Sequence, residues 1–103
     1  MPYPKISAIE MPILQELSAT GGAEDVRFLY DRLTAYFPQL SDAEIRAIRA
    51  GKNATWRRFV QHAGRELDEN GFLRRARGFW TLTEKGKREV ENESAGFEIT
   101  RAE

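Results

Sequence analysis

Between Arg57 and Arg77 the chain sets out side chains suited to gripping an extended anion. Arg57, Arg58, Gln61, His62 and Arg65 recur at steps of three and four, the spacing that gathers groups on one side of a helix. Arg74, Arg75 and Arg77 follow within a short β-prone run. A guanidinium clamps phosphate, and its fork also matches the two acceptors on the guanine edge. An arginine on a protruding hairpin suits a narrow minor groove, where the potential is most negative. Lys52 and Asn53 stand just ahead of the helix, where the unpaired N–H groups of a helix start favour a phosphate. The candidate contacts to double-stranded DNA are therefore Lys52, Asn53, Arg57, Arg58, Gln61, Arg65, Arg74, Arg75 and Arg77. The competing reading is that several of these arginines pair with Glu66 or Asp68 on an ordinary solvated surface.

Catalysis needs convergent partners, and the sequence offers none. His62 is the only histidine and there is no cysteine, which removes disulfides and thiolate metal sites. There is no phosphate-binding glycine loop, no HExxH and no nucleophile elbow. No Asp or Glu is followed two residues later by Lys, the step used by metal-dependent restriction nucleases. The chain is expected not to be an enzyme and to hold no cofactor or metal.

The 103 residues fit one domain with a modest core. Net charge is zero, but it is unevenly spread: −3 over residues 1–48, +6 over 49–90 and −3 over 91–103. A local field is what a phosphate backbone senses, so a neutral protein with this distribution still suits nucleic acid. No apolar run has the length of a membrane span, so no membrane partner is expected and the setting is read as cytoplasmic.

The elements that would position these residues follow from local signals. Residues 1–10 read as a lead-in, extended through Lys5. Pro12 suits a helix first turn, with Ile13, Leu14 and Leu17 as its apolar face and Gly21-Gly22 as its stop. A second helix starts near Glu24-Asp25 and buries Val26, Leu29, Tyr30, Leu33, Tyr36 and Phe37 before Pro38. Phe28 falls off that stripe, as a partner contact or a half-buried ring. Ser41-Asp42-Ala43-Glu44 is a capping box opening a short helix that closes at Gly51. Asn53 or Thr55 caps the next helix, residues 56–70, which buries Trp56, Phe59, Val60, Ala63 and Leu67. Asn70-Gly71-Phe72 reads as a Schellman stop. Residues 72–82 form a hairpin around Arg77-Gly78, and Thr83 caps a last helix running from Glu84 to about Glu93. Residues 94–103 read as a polar tail or linker. The expected class is mostly α with a small β-hairpin, a winged helix-turn-helix, with residues 11–93 as the domain. In that fold the helix 56–70 enters the major groove and the hairpin is the wing.

The order Met11-Pro12-Ile13-Leu14, Gly21-Gly22, Trp56, Ala63, Leu67, Gly71-Phe72-Leu73, Arg77-Gly78-Phe79-Trp80 and Leu82-Thr83-x-x-Gly86 resembles the N-terminal winged-helix domain of Mrr-type restriction proteins. The resemblance spans about residues 11 to 90. It implies that Trp56 opens the recognition helix, that Arg77-Gly78 tips the wing, and that Trp80 and Leu82 pack the hairpin on the core. It also implies DNA recognition for a prokaryotic restriction or defence protein whose nuclease domain lies in cis or in a partner protein. Two other readings remain. One is a winged helix that binds protein, favoured by zero net charge and Phe28. The other is a small transcriptional regulator, disfavoured because no long dimerisation helix is evident.

Overall fold

A computed structural model describes the backbone of residues 3–102 and the side chains of residues 3–93. The elements are α1 (Ile6–Ala19), β1 (Ala23–Asp25), α2 (Val26–Arg32), a 3₁₀ turn (Leu33–Tyr36), α3 (Asp42–Arg49), α4 (Ala54–Glu69), β2 (Leu73–Ala76), β3 (Phe79–Leu82) and α5 (Glu84–Ala102). The fold is mostly helical with a small antiparallel sheet, a winged helix. The side-chain part of the expected polar tail, residues 94–103, lies outside the described residues, as do Met1 and Pro2 in the lead-in.

The expected helix starts needed correction at the N-terminal end. α1 begins at Ile6, so Pro12 sits inside the helix and not in its first turn. An interior proline costs about 3 kcal/mol in helix propensity. Burial of Ile9, Ile13, Leu14 and Leu17 against the core outweighs it. The lead-in is also fastened down: Pro4 is buried, and the Tyr3 ring lies 6.4 Å from Trp56 and 5.6 Å from Phe59. Ala23, Glu24 and Asp25 form a strand where a helix start was expected. Asp25 ends that strand and caps α2 by accepting from the Arg27 N–H.

β3 is the centre of the sheet, in the order β1-β3-β2. Leu73 lies opposite Leu82 and Ala76 opposite Phe79, so the hairpin loop is the pair Arg77-Gly78. Both loop residues have positive φ, 54° and 80°, which is the type I′ geometry whose twist matches the strands. Glycine adopts it freely; Arg77 does so against its side chain's preference. Leu73, Trp80 and Leu82 face the core, while Arg74, Phe79 and Thr81 face water.

α4 crosses the middle of the molecule against α1. Its buried stripe is Trp56, Val60, Ala63, Gly64 and Leu67, with Phe59 only half-buried. Trp56 is wholly buried, and its Nε1–H donates to the Tyr30 carbonyl at 2.8 Å. Helix ends follow the local signals. Ser41 and Glu44 make a reciprocal capping box, a motif whose hydroxyl half alone is worth about 1 kcal/mol. Gly71 at φ 81° lets the Phe72 N–H reach the Leu67 carbonyl at 2.9 Å, completing the Schellman stop.

The Leu-Thr-x-x-Gly ending is explained by two contacts. The Thr83 hydroxyl donates to the Gly71 carbonyl at 2.6 Å and accepts from the Gly86 N–H at 3.1 Å, so one side chain ties α4's end to α5's start. A side chain at Gly86 would run into the Phe72 carbonyl. α5 continues to Ala102, 19 residues in all, past the expected end near Glu93. No proline interrupts it.

Candidate nucleic-acid interface

The outer side of α4 faces an open groove toward β2. Arg58, Gln61, His62 and Arg65 from α4 and Arg75 from β2 line one depression of about 390 Å³. Helical spacing sets the first four in register, and strand alternation puts Arg75 on the same side as Leu73, toward α4. Arg58 and Arg65 are exposed, and no carboxylate lies within ion-pair distance of either among the described residues. Arg75 is half-buried and its Nε is 3.2 Å from a carboxylate oxygen of Asp68, one of the two acids that the competing reading named, in a pair from β2 to α4. Such a pair fixes the guanidinium's orientation and adds little stability.

Arg57 projects to the side of α4 that meets α2. Its guanidinium lies 5.3 Å from the centre of the Tyr30 ring, a cation–π distance. It shares a second depression, about 290 Å³, with Arg27, Tyr30 and Arg49. The Gln61 side-chain amide donates to the Tyr30 hydroxyl at 2.7 Å. Tyr30 thus joins the two depressions and positions one residue in each. Arg27 and Arg49 were not among the sequence candidates. Only the tertiary approach of α2, α3 and α4 brings them to Arg57.

The remaining candidates divide. Asn53 is committed to structure: its Oδ1 accepts from the Trp56 N–H at 2.9 Å, and its Nδ2 donates to the Tyr3 hydroxyl at 2.9 Å. Lys52 is exposed in the α3–α4 turn, its N–H held by the Ala47 carbonyl at 2.8 Å. Arg77 is exposed at the hairpin tip, and Arg74 lies on the outer sheet face opposite Thr81, away from the groove. The arginines therefore gather in part. Arg57, Arg58, Arg65 and Arg75 share the α4 side with Arg27 and Arg49, while Arg74 and Arg77 belong to the wing.

Acidic groups bound this surface. On the α1 side of the groove, burial followed by the Glu66 charge pushes the Glu10 carboxyl above its usual range, with His62 opposing. His62 itself is 3.7 Å from Glu66. Beside the hairpin loop, hydrogen bonds from the Arg27 side chain and backbone hold Asp25 below the usual carboxylate range. Outside these depressions, Tyr36 donates to Glu16 at 2.8 Å, and burial plus that carboxylate push its hydroxyl up to about 12. Among the described residues, no three His, Asp or Glu side chains form a group able to hold a metal ion.

Residues 7–92 match the family described as the Mrr N-terminal domain. The match runs from the first turn of α1 to the middle of α5 and includes the whole α4–β2–β3 unit. The chain belongs to the Mrr N-terminal domain family. The family is defined as an N-terminal domain and is not a catalytic nuclease domain. No curated protein and no solved structure matches the chain. Among the described residues of this Mrr N-terminal domain, no helix is long and apolar enough to cross a membrane.

Proposed function

We propose that this Mrr N-terminal domain binds double-stranded DNA for a restriction or defence protein acting in the cytoplasm. α4 enters the major groove and the β2–β3 hairpin lies along the flanking backbone. Cleavage belongs to a nuclease domain in cis or in a partner protein. The observation that carries this reading is the groove of Arg58, Gln61, His62, Arg65 and Arg75, with Arg58 and Arg65 exposed and free of carboxylates among the described residues. A polyanion meets two uncompensated guanidiniums there on a scaffold already ordered. Arg58 and Gln61, in the N-terminal half of α4, stand nearest the base edges that a recognition helix reads, while Arg57, Arg65 and Arg75 suit phosphate.

Titration of a fluorescently labelled duplex at several salt concentrations tests the proposal. The expected result is saturable binding whose logarithmic salt slope is about −3 or steeper, since each neutralised phosphate contributes about −0.9. Absence of binding at low salt, or affinity indifferent to salt, would overturn it.

A further inference from the structure

Phe28 is the most exposed large apolar side chain among the described residues, at 53%. It is not stranded on a bare surface. The Arg27 and Arg32 guanidiniums each lie 6.0 Å from its ring centre. Together with Asp31, Ile48 and Arg49 these residues line a depression of about 440 Å³. Arg27 and Arg49 also line the neighbouring depression that contains Arg57, so the Phe28 site continues directly from the α4 surface.

The chemistry of the lining narrows the ligand. Phe28 and Ile48 supply an apolar, partly aromatic wall, suited to the flat face of a ring. Three arginines rim it, and each is aligned by a carboxylate: Arg27 by Asp25 at 3.0 Å, Arg32 by Glu24 at 2.8 Å and Arg49 by Asp31 at 2.8 Å. Asp31 is itself half-exposed and has a second oxygen to accept from a donor. A peptide of acidic side chains alone would leave the aromatic wall unused and the Asp31 acceptor without a donor. The outside of a duplex keeps its base faces stacked and offers no ring to Phe28. An unpaired nucleotide uses every group: its base stacks on Phe28, an exocyclic amino group donates to Asp31, and its phosphate meets the arginines.

We propose that the Phe28 site binds an unpaired nucleotide of DNA, adjoining duplex held on α4. This rests on the duplex-binding reading given above. Single-stranded character next to the duplex then becomes part of what the domain recognises.

The test compares a labelled blunt duplex with the same duplex carrying an oligodeoxycytidine overhang, whose bases each carry the exocyclic amino group. The parent chain is expected to bind the overhang form about tenfold more tightly, a usual value for one stacked base. Phe28→Ala should remove that preference and leave blunt-duplex affinity and the melting temperature unchanged. Phe28→Trp should show emission that responds to the overhang and not to blunt duplex, because the native Trp56 and Trp80 are 0% and 1% exposed. Equal affinity for the two DNAs, or a preference that survives Phe28→Ala, overturns the site while leaving duplex binding intact. Loss of affinity for both DNAs in Phe28→Ala also overturns it, because the ring would then serve the duplex. No binding of either DNA by the parent overturns both proposals. Binding of labelled polyglutamate that is lost in Phe28→Ala overturns it in favour of an acidic protein partner.

Discussion

Gly64→Ala is expected to lower stability by about 3 kcal/mol or more, at the upper end of what overpacking a close-packed core costs. Gly64 is buried in the middle of α4, and a methyl group there would overlap the six-membered ring of Trp80. Trp80 is 1% exposed and lies on β3, the central strand of the sheet. Because the ring is enclosed, room for the methyl must come from shifting Trp80 or lifting the sheet off α4. For a domain of this size the loss corresponds to a drop of about 15 °C in melting temperature, readable by circular dichroism. The change should also weaken DNA binding at temperatures where the fold persists, because the same packing sets the distance between Arg65 on α4 and Arg75 on β2. Trp80→Leu opens a cavity by itself, yet Gly64→Ala with Trp80→Leu should be more stable than the two losses added together. A Gly64→Ala melting temperature within about 3 °C of the parent would rule out this packing, given the usual several degrees per kcal/mol.

The second large effect concerns the charged surface. Replacing Arg57, Arg58 and Arg65 together by Ala should reduce duplex affinity about a hundredfold at low salt, equivalent to two steps of about 1.4 kcal/mol. The salt slope should flatten by about 1.8, or about 0.9 for each of Arg57 and Arg65 no longer neutralising a phosphate. All three residues are exposed, so the melting temperature should change little, apart from the removal of the Arg57 guanidinium from the Tyr30 ring. Lys87→Ala is the matched control. Lys87 lies beside Ser18, Val90 and Glu91 on the α1–α5 side and pairs with Glu84 at 3.4 Å. It should leave both affinity and slope unaltered. If the triple variant keeps the parent's slope, the duplex does not lie on α4.

Much of this architecture was legible because its signals are local. The Ser41–Glu44 capping box, the Asn70-Gly71-Phe72 stop and the Arg77-Gly78 loop each need only adjacent residues to define them. β1 was not legible, because Ala23-Glu24-Asp25 has no strand pattern of its own. It is extended because β3 offers a free edge, with Leu82 N–H donating to the Gly22 carbonyl at 2.7 Å and Val26 N–H to the Gly78 carbonyl at 2.8 Å. The early start of α1 was hidden for the same reason: Ile9 is helical because the core buries it, and Pro12 argued locally for a later start. A glycine in a helix interior costs about 1 kcal/mol, which marks Gly64 as needing a packing partner. Nothing in the sequence says that the partner is Trp80.

The site was readable to a similar degree. Helical spacing brought Arg58, Gln61 and Arg65 onto one face, as the sequence suggested. Strand alternation then decided which wing arginine joins them: Arg75 turns toward α4 and Arg74 turns away. Asn53 looked available for phosphate, but the α4 N-terminus and Tyr3 take both ends of its amide. Arg27 and Arg49 carried no sequence signal, since they come from helices whose approach to Arg57 is purely tertiary.

Amide and arginine Nε–H resonances followed during titration with duplex DNA would locate the nucleic acid on the protein surface residue by residue. Shifts are expected to concentrate at Arg57, Arg58, Gln61, Arg65 and Arg75 and along the hairpin tip at Arg77 and Gly78. Ser18, Lys87 and Val90 should stay still. Shifts centred on α1 and α5, with Arg58 and Arg65 unmoved, would refute an interface built on α4.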